Sequence, residues 1–415
     1  MGKSAAARYQ ERETRVTDAI GLKIPDRVPV ITGMGYFPAR YTARTCEAAW
    51  YDYDGWLAAY RQTLRDFQPD MLTMQPFFPG TAMEYLAPKS IKWPGHGVSP
   101  NHGHQAMEEE YMKSDEYDAF ILDPSDFLLR RFMPRVSGAA AGLEKLLPLA
   151  ALGYSFMSAQ ALAESLAGPE VAAGLRALQK AGREIRKWRV RMRKFNEAIE
   201  NMGFPPYSQG AALAPFDGLS HSMRGMQGSY TDMFRRPDKV VAACEKLMEI
   251  TLARPLPPPN RAGHIRIFMP LTRGSDDFMS RKQFETFYWP TLKKIIEDYI
   301  ARGATPCIFF EGNFITRLEY LLDLPRGKIL AQLDTTDIFQ AKAILKDHVC
   351  IRGNVPSSLL QVGTVREVRD YCKKLIDVVG KDGGFILSPR SSTDEVKPEN
   401  LKAMLDFARE YGRYR

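Results

Sequence analysis

PCIFFEGN (residues 306–313), VCIRGN (349–354) and GFILSPR (384–390) share one pattern, a short apolar run that breaks off into a polar, turn-forming tip. Runs that are apolar throughout read as buried parallel strands. Tips that all leave one end of a sheet place their functional groups on a single rim.

Working outward, the same alternation of strand and helix covers most of the chain. A polar helix over residues 5–20 precedes a first strand in RVPVITGM (27–34); helical spacing returns over 47–67, and PDMLTMQPFF (69–78) reads as a second strand. Residues 83–126, rich in Gly, Pro, His and acids, form a long rim loop with short elements. From Phe127 to Met202 the spacing is helical with no strand, which marks a helical insertion serving as a wall, a lid or a packing surface for a second subunit. Alternation then resumes, with strands starting near 209, 264, 306, 329, 348 and 384 and helices over 230–252, 281–302, 315–323, 337–346, 365–379 and 398–411. Eight strands joined by right-handed crossovers predict a (β/α)8 TIM barrel in one domain spanning residues 1–415. The rival, an open doubly wound sheet, lacks a GxGxxG turn after its first strand.

Composition narrows the class. The 415 residues are 45% hydrophobic and 26% charged, ordinary globular values that exclude disordered and disulfide-dense chains. No apolar stretch is long enough to span a bilayer, and MGKSAAARYQERETR lacks the core of a secretory signal, so a cytoplasmic location is expected. Five cysteines without CxxC spacing argue for reduced thiols, and six histidines form no HxxxH pattern. The net charge of +8 does not single out nucleic acid, because acidic residues are interspersed everywhere except 180–194, which reads as an exposed basic helix face.

Several polar residues fall where chemistry is expected. Glu311, after Phe309 and Phe310, is a carboxyl that burial would push up, hence a candidate acid, base or metal ligand. His221, in APFDGLSHSMRG, would accept a proton or bind zinc. His102 and His104 form an HxH pair in a loop. Asp276 and Asp277, Asp334, and Arg390 follow other strands; the aspartates would handle protons, orient a cation or cap helices, while Arg390 would pair with a substrate anion or a neighbouring acid. Asn313 and Asn354, each in a GN pair, shape turns first and contact ligand second. Cys350 lies inside a strand as a small hydrophobe.

The segment 351–404, with GNVPSSL, GTVREV, GGFI and PENL in that order, resembles the C-terminal third of the uroporphyrinogen decarboxylase superfamily, with weaker likeness at RVPV, GTAMEY and APFDGLSHSMRG. The resemblance implies a TIM barrel and a homodimer. Two departures bear on the branch. The arginine-rich MRQAGRY segment and the FSDI aspartate of true decarboxylases are replaced by TGMGYFPARY and TMQPFF. The HxC zinc ligands of the methyltransferase branch are replaced by Phe309-Phe310-Glu311, leaving Glu311 and His221 as a harder metal site, including zinc, or an acid–base pair.

The resemblance is closest to the corrinoid-dependent methyltransferase branch of O-demethylase type, associated with anaerobic metabolism. It implies transfer of a methyl group from a small methoxylated or methylated donor to cobalt (cobalamin-type) on a partner corrinoid protein. Glu311 and His221 are the expected catalytic residues, with Arg390, Asp277, Asn313, Tyr36, Phe37, Phe77 and Phe78 around the substrate. A decarboxylase-type lyase and a non-catalytic corrinoid- or tetrapyrrole-binding barrel are the alternatives. No nucleic-acid or membrane partner is expected.

Overall fold

The computed structural model describes residues 3–73 and 77–414. Eight parallel strands close into a (β/α)8 barrel: β1 (Ile31–Thr32), β2 (Met71–Leu72), β3 (Gly210–Ala211), β4 (Arg266–Leu271), β5 (Thr305–Phe310), β6 (Leu330–Leu333), β7 (Cys350–Val355) and β8 (Phe385–Pro389). β3 to β8 form one continuous sheet in sequence order, and β1 pairs with β2. Single bridges complete the ring, Val30 to Leu387 on one side and Leu72 to Pro206 on the other. Three strands are much shorter than the apolar runs at 27–34, 69–78 and 209–216 suggest. Pro29, Pro69, Pro205 and Pro206 have no N–H to donate to a ladder there. Side chains fill in: the Asp70 carboxylate accepts the Val30 N–H at 2.8 Å.

Successive side chains of a strand point to opposite faces, so residues two apart share the barrel interior. The lowest interior layer is apolar: Ile31, Met71, Tyr207, Cys307, Leu330, Cys350 and Ile386 pack together with Val16, Ala19 and Ile20. Those last three belong to the N-terminal helix Ala5–Ile20, which starts at the Ser4 cap and closes the bottom of the barrel. From the same helix Glu13 reaches Arg266 on β4 through two bonds of 2.6 and 3.1 Å, with the pair buried. Arg15 joins Asp70 at 2.7 Å and Asp26 at 2.6 Å. All five cysteines are free and buried, as their spacing suggests.

The helical stretch after β2 has two parts. Short turns and the helix Ser158–Ala167 make an excursion; the 32-residue helix Pro169–Glu200 then brings the chain back toward β3 as the crossover helix of the second β/α unit. Phe195 anchors it, fully buried against Tyr60 (5.4 Å) and stacked on Phe77 (5.7 Å). The basic run 180–194 lies on this helix, mostly exposed apart from Ala181, and Trp188 donates its indole N–H to the Phe77 carbonyl at 3.2 Å. The 83–126 segment holds a small sheet of Ile91–Pro94, Gly97–Val98 and Gln105–Ala106. The helix expected over 230–252 is two helices, Gly225–Arg235 and Pro237–Leu252, because Pro237 begins a new one. No helix among the described residues is long and apolar enough to cross a membrane.

The buried Glu13–Arg266 pair holds the cap on the barrel. Glu13→Ala, which strands the guanidinium without its partner, is expected to cost about 3–5 kcal/mol in urea unfolding. An unchanged midpoint would show that the pair contributes nothing to closure.

Candidate active site

Above the apolar layer the barrel opens into a cavity of about 990 Å³. Its middle level is lined by Gly33, Thr73, Gln209, Phe268, Phe309, Gln332 and Arg352, each two residues beyond a residue of the layer below or, for Phe268, two beyond Arg266. One step higher stand Gly35, Ala211, Glu311 and Asp334. The cavity also reaches the seam between β2 and β3, where Leu72, Pro206 and, from the long helix, Asn196 and Ile199 line it. That helix therefore forms part of the wall.

The Glu311 tip is held by its neighbours on both sides. Its N–H bonds the Leu271 carbonyl at 3.0 Å, and Gly312, at φ +105°, donates to Asp334 Oδ2 at 3.2 Å. Asn313 Oδ1 accepts from Ile315 N at 3.2 Å and its carbonyl from Asp276 N at 2.7 Å, so it shapes the turn. The Glu311 side chain is exposed at the cavity, and the protein packed around its carboxyl desolvates it in part. That desolvation pushes its pKa up, the Asp334 charge pushes it further, and His221 opposes the rise. Asp334 is also raised, by burial, against the Gly312 N–H and the charge of Arg390, whose Nε lies 3.9 Å from Asp334 Oδ1. Two carboxyls thus face one cavity, each biased toward holding a proton.

His221 takes a different place from the one expected. It occupies a π-helical turn, Ser220–Arg224, and both its ring nitrogens are engaged by protein. Nε2 bonds Thr272 Oγ1, while Nδ1 lies 3.2 Å from Arg273 Nη2 and 3.4 Å from Glu108 Oε2. Thr272 passes the contact on to Asp217, a fully buried carboxyl that also accepts from Tyr288 Oη at 2.6 Å and Arg273 N at 2.9 Å. Burial pushes Asp217 up, opposed first by the Tyr288 hydroxyl. His221 therefore lies in a polar cluster at the ends of β4 and the following turn, outside the cavity lining. Among the described residues no three His, Cys, Asp or Glu side chains converge to hold a metal ion. Zinc needs three or four such ligands, and Glu311 with His221 does not supply them.

On the opposite wall Tyr36 and Phe78 line the cavity as expected, and so does His104. Trp50 Nε1 donates to Tyr36 Oη at 3.0 Å, and the same hydroxyl is hydrogen-bonded to His104 Nδ1 at 2.9 Å. Burial lowers the His104 pKa. Tyr36 N is fixed by Asp394 Oδ1 at 2.7 Å.

Other expected substrate contacts are elsewhere. Phe37 is buried against Tyr41 and Phe67 in the core, because its helix turns it away from the barrel axis. Phe77 is sandwiched by Phe195 and Trp188. Asp277 is exposed, Asn313 is spent on its turn, and Arg390 meets Asp334 outside the cavity lining. Residues 74–76, which include part of the TMQPFF segment, lie outside the described residues.

Residues 208–411 match the family model for uroporphyrinogen decarboxylase (URO-D). The match covers just under half of the chain, and this part is similar to the URO-D family. A uroporphyrinogen decarboxylase of Chloroherpeton thalassium (strain ATCC 35110 / GB-78) is 27% identical over 137 residues, covering 32% of this chain and 38% of that protein. The chain thus aligns with well under half the length of this relative. A solved methyltransferase from Methanosarcina mazei superposes with a TM-score of 0.58 at 15% identity, covering 96% of this chain and 98% of the other. At that identity the likeness is one of fold, and it covers nearly the whole chain.

A carboxyl whose pKa is raised by partial desolvation makes the folded state bind protons that the unfolded state releases. Stability is therefore greatest below the unfolded pKa and falls as pH rises through the folded one. Glu311→Gln removes that loss, so its melting temperature should gain on the wild type as pH rises from the ordinary glutamate range toward neutrality. A constant difference across this range would mean that Glu311 titrates as an ordinary surface acid.

Proposed function

We propose that this protein is a methyltransferase that takes a methyl group from a small methoxylated substrate and passes it to a corrinoid carried by a partner protein. The observation that supports this most is the Glu311–Asp334 pair, two carboxyls biased toward the protonated form at the mouth of an apolar-walled cavity. Breaking a methyl ether leaves an alkoxide or phenoxide, a poor leaving group unless its oxygen is protonated as the bond breaks. The corrinoid supplies the nucleophile that accepts the methyl. This chain's part is to hold the ether oxygen against Glu311 and deliver the proton there, with Asp334, when ionised, favouring the protonated form of Glu311.

Phe268 and Phe309, stacked with centroids 6.4 Å apart, form one wall for an aromatic body, and Tyr36 and Phe78 line another. The His104 imidazole would orient a substrate oxygen. The partner corrinoid protein, a homodimeric assembly and a cytoplasmic setting belong to this same reading. Porphyrinogen decarboxylation is less well supported: Arg352 is the sole Arg or Lys among the described cavity-lining residues, and a tetra-acid needs several cations.

The test mixes the protein with a reduced corrinoid protein and a panel of methoxyarenes and follows release of the demethylated phenol. Glu311→Gln should slow product release by about 10²-fold or more, the usual weight of a general acid, with Asp277→Ala unaffected. No phenol from any donor, or carbon dioxide released from uroporphyrinogen, would contradict the proposal.

A further inference from the structure

One buried cation on the cavity lining has no part in the proton delivery described above. Arg352 sits in the middle of β7, 2% exposed, in register with Gln332 on β6 and Ile386 on β8. Its guanidinium lies 4.8 Å over the Tyr207 ring, yet Nε and Nη1 have no hydrogen-bond partner among the described residues. Arg266 shows what a satisfied guanidinium looks like in the same barrel: it is equally buried and is taken up by Glu13 and by the carbonyls of Tyr207 and Pro206. Beside Arg352, the Tyr207 hydroxyl and Gln209 Nε2 are also buried without a partner. All three residues line the cavity.

A buried cation without a counter-charge is costly, and several unfilled donors around one space describe a site for an acceptor-rich anion. A planar fork of N–H groups matches a carboxylate best. We infer that Arg352, with Tyr207 and Gln209, forms an oxyanion subsite at the base of the cavity, just above the apolar floor, that takes the carboxylate of the substrate. The substrate class is then an aryl carboxylic acid, with its ring between the floor and the Glu311 level and its far substituent at Glu311. Phe309 on β5 and Glu311 just past its end are two residues apart, roughly 6–7 Å of strand rise, about the reach of one aromatic ring with substituents at both ends. The choice of the far substituent as the reacting one rests on the methyl-transfer proposal; the anion subsite does not.

Binding to the full chain without any corrinoid tests the subsite alone. Calorimetric titrations would compare 4-methoxybenzoate and related aryl carboxylates, the neutral 4-methoxybenzamide, and acetate as a small free anion. The wild type should bind an aryl carboxylate at least tenfold more tightly than the amide or acetate. Arg352→Met should erase that preference while leaving amide binding unchanged, and Arg352→Lys should keep part of it. Without ligand, Arg352→Met should melt no lower than the wild type, since it removes an uncompensated buried charge. Equal binding of acid and amide by the wild type, unchanged acid affinity in Arg352→Met, acetate binding as tight as the aryl acid, or no binding across the series would each overturn the inference. If Arg352→Met does not fold, the wild-type and Arg352→Lys comparisons decide. Carboxylate binding without demethylation would refute the methyl-transfer proposal and leave this subsite standing.

Discussion

Side-chain alternation along strands that are buried on both faces is the constraint on which the rest of this protein depends. In β5, β6 and β7 every second residue must enter the barrel, so Cys307, Leu330 and Cys350 occupy its apolar floor while Phe309, Gln332 and Arg352 form the level above. Glu311 and Asp334 follow at the mouth. Chemistry is thereby sorted by height: an apolar seal, then a cation with aromatic walls, then carboxyls. A one-residue slip in any of these strands would exchange the whole column for its outward-facing neighbours.

The sorting holds only because the barrel is closed where its ladders are weakest. β1, β2 and β3 contribute two paired residues each, and the single bridges at Val30 and Leu72 complete the ring. The N-terminal helix compensates, covering the floor with Val16, Ala19 and Ile20 and binding β4 through Glu13. The weak β2–β3 seam also has a consequence for function. The cavity extends into it, and the long crossover helix becomes part of the wall.

The sequence made the barrel legible because its later strands are clean apolar runs with polar tips. For the same reason Glu311 could be read at a strand end, where it lines the cavity. The remainder of the site was harder to read. His221 follows a strand in a loop-like segment, but a π-helical turn directs it into a polar cluster with Thr272 and Arg273, which only tertiary packing decides. Phe37 and Phe77 had the right composition and local position, yet they face core partners brought in from residues 67 and 195. Arg352 and Gln332 were visible in VCIRGN and ILAQL as polar residues inside apolar strands, and counting back by two from the strand tips places them inside the barrel. His104 had no such signal, since its position depends on contacts with Tyr36 and Phe78 across the rim.

The central claim is that a carboxyl at the mouth of this barrel keeps its proton where an ordinary glutamate has lost it. Carbon-detected NMR titration of protein labelled at the glutamate side-chain carboxyl would read this directly. The account predicts one resonance that titrates above the range of the other glutamates and is absent from Glu311→Gln. Titration of every glutamate within the ordinary range, with Glu311→Gln removing only an unshifted signal, would contradict it.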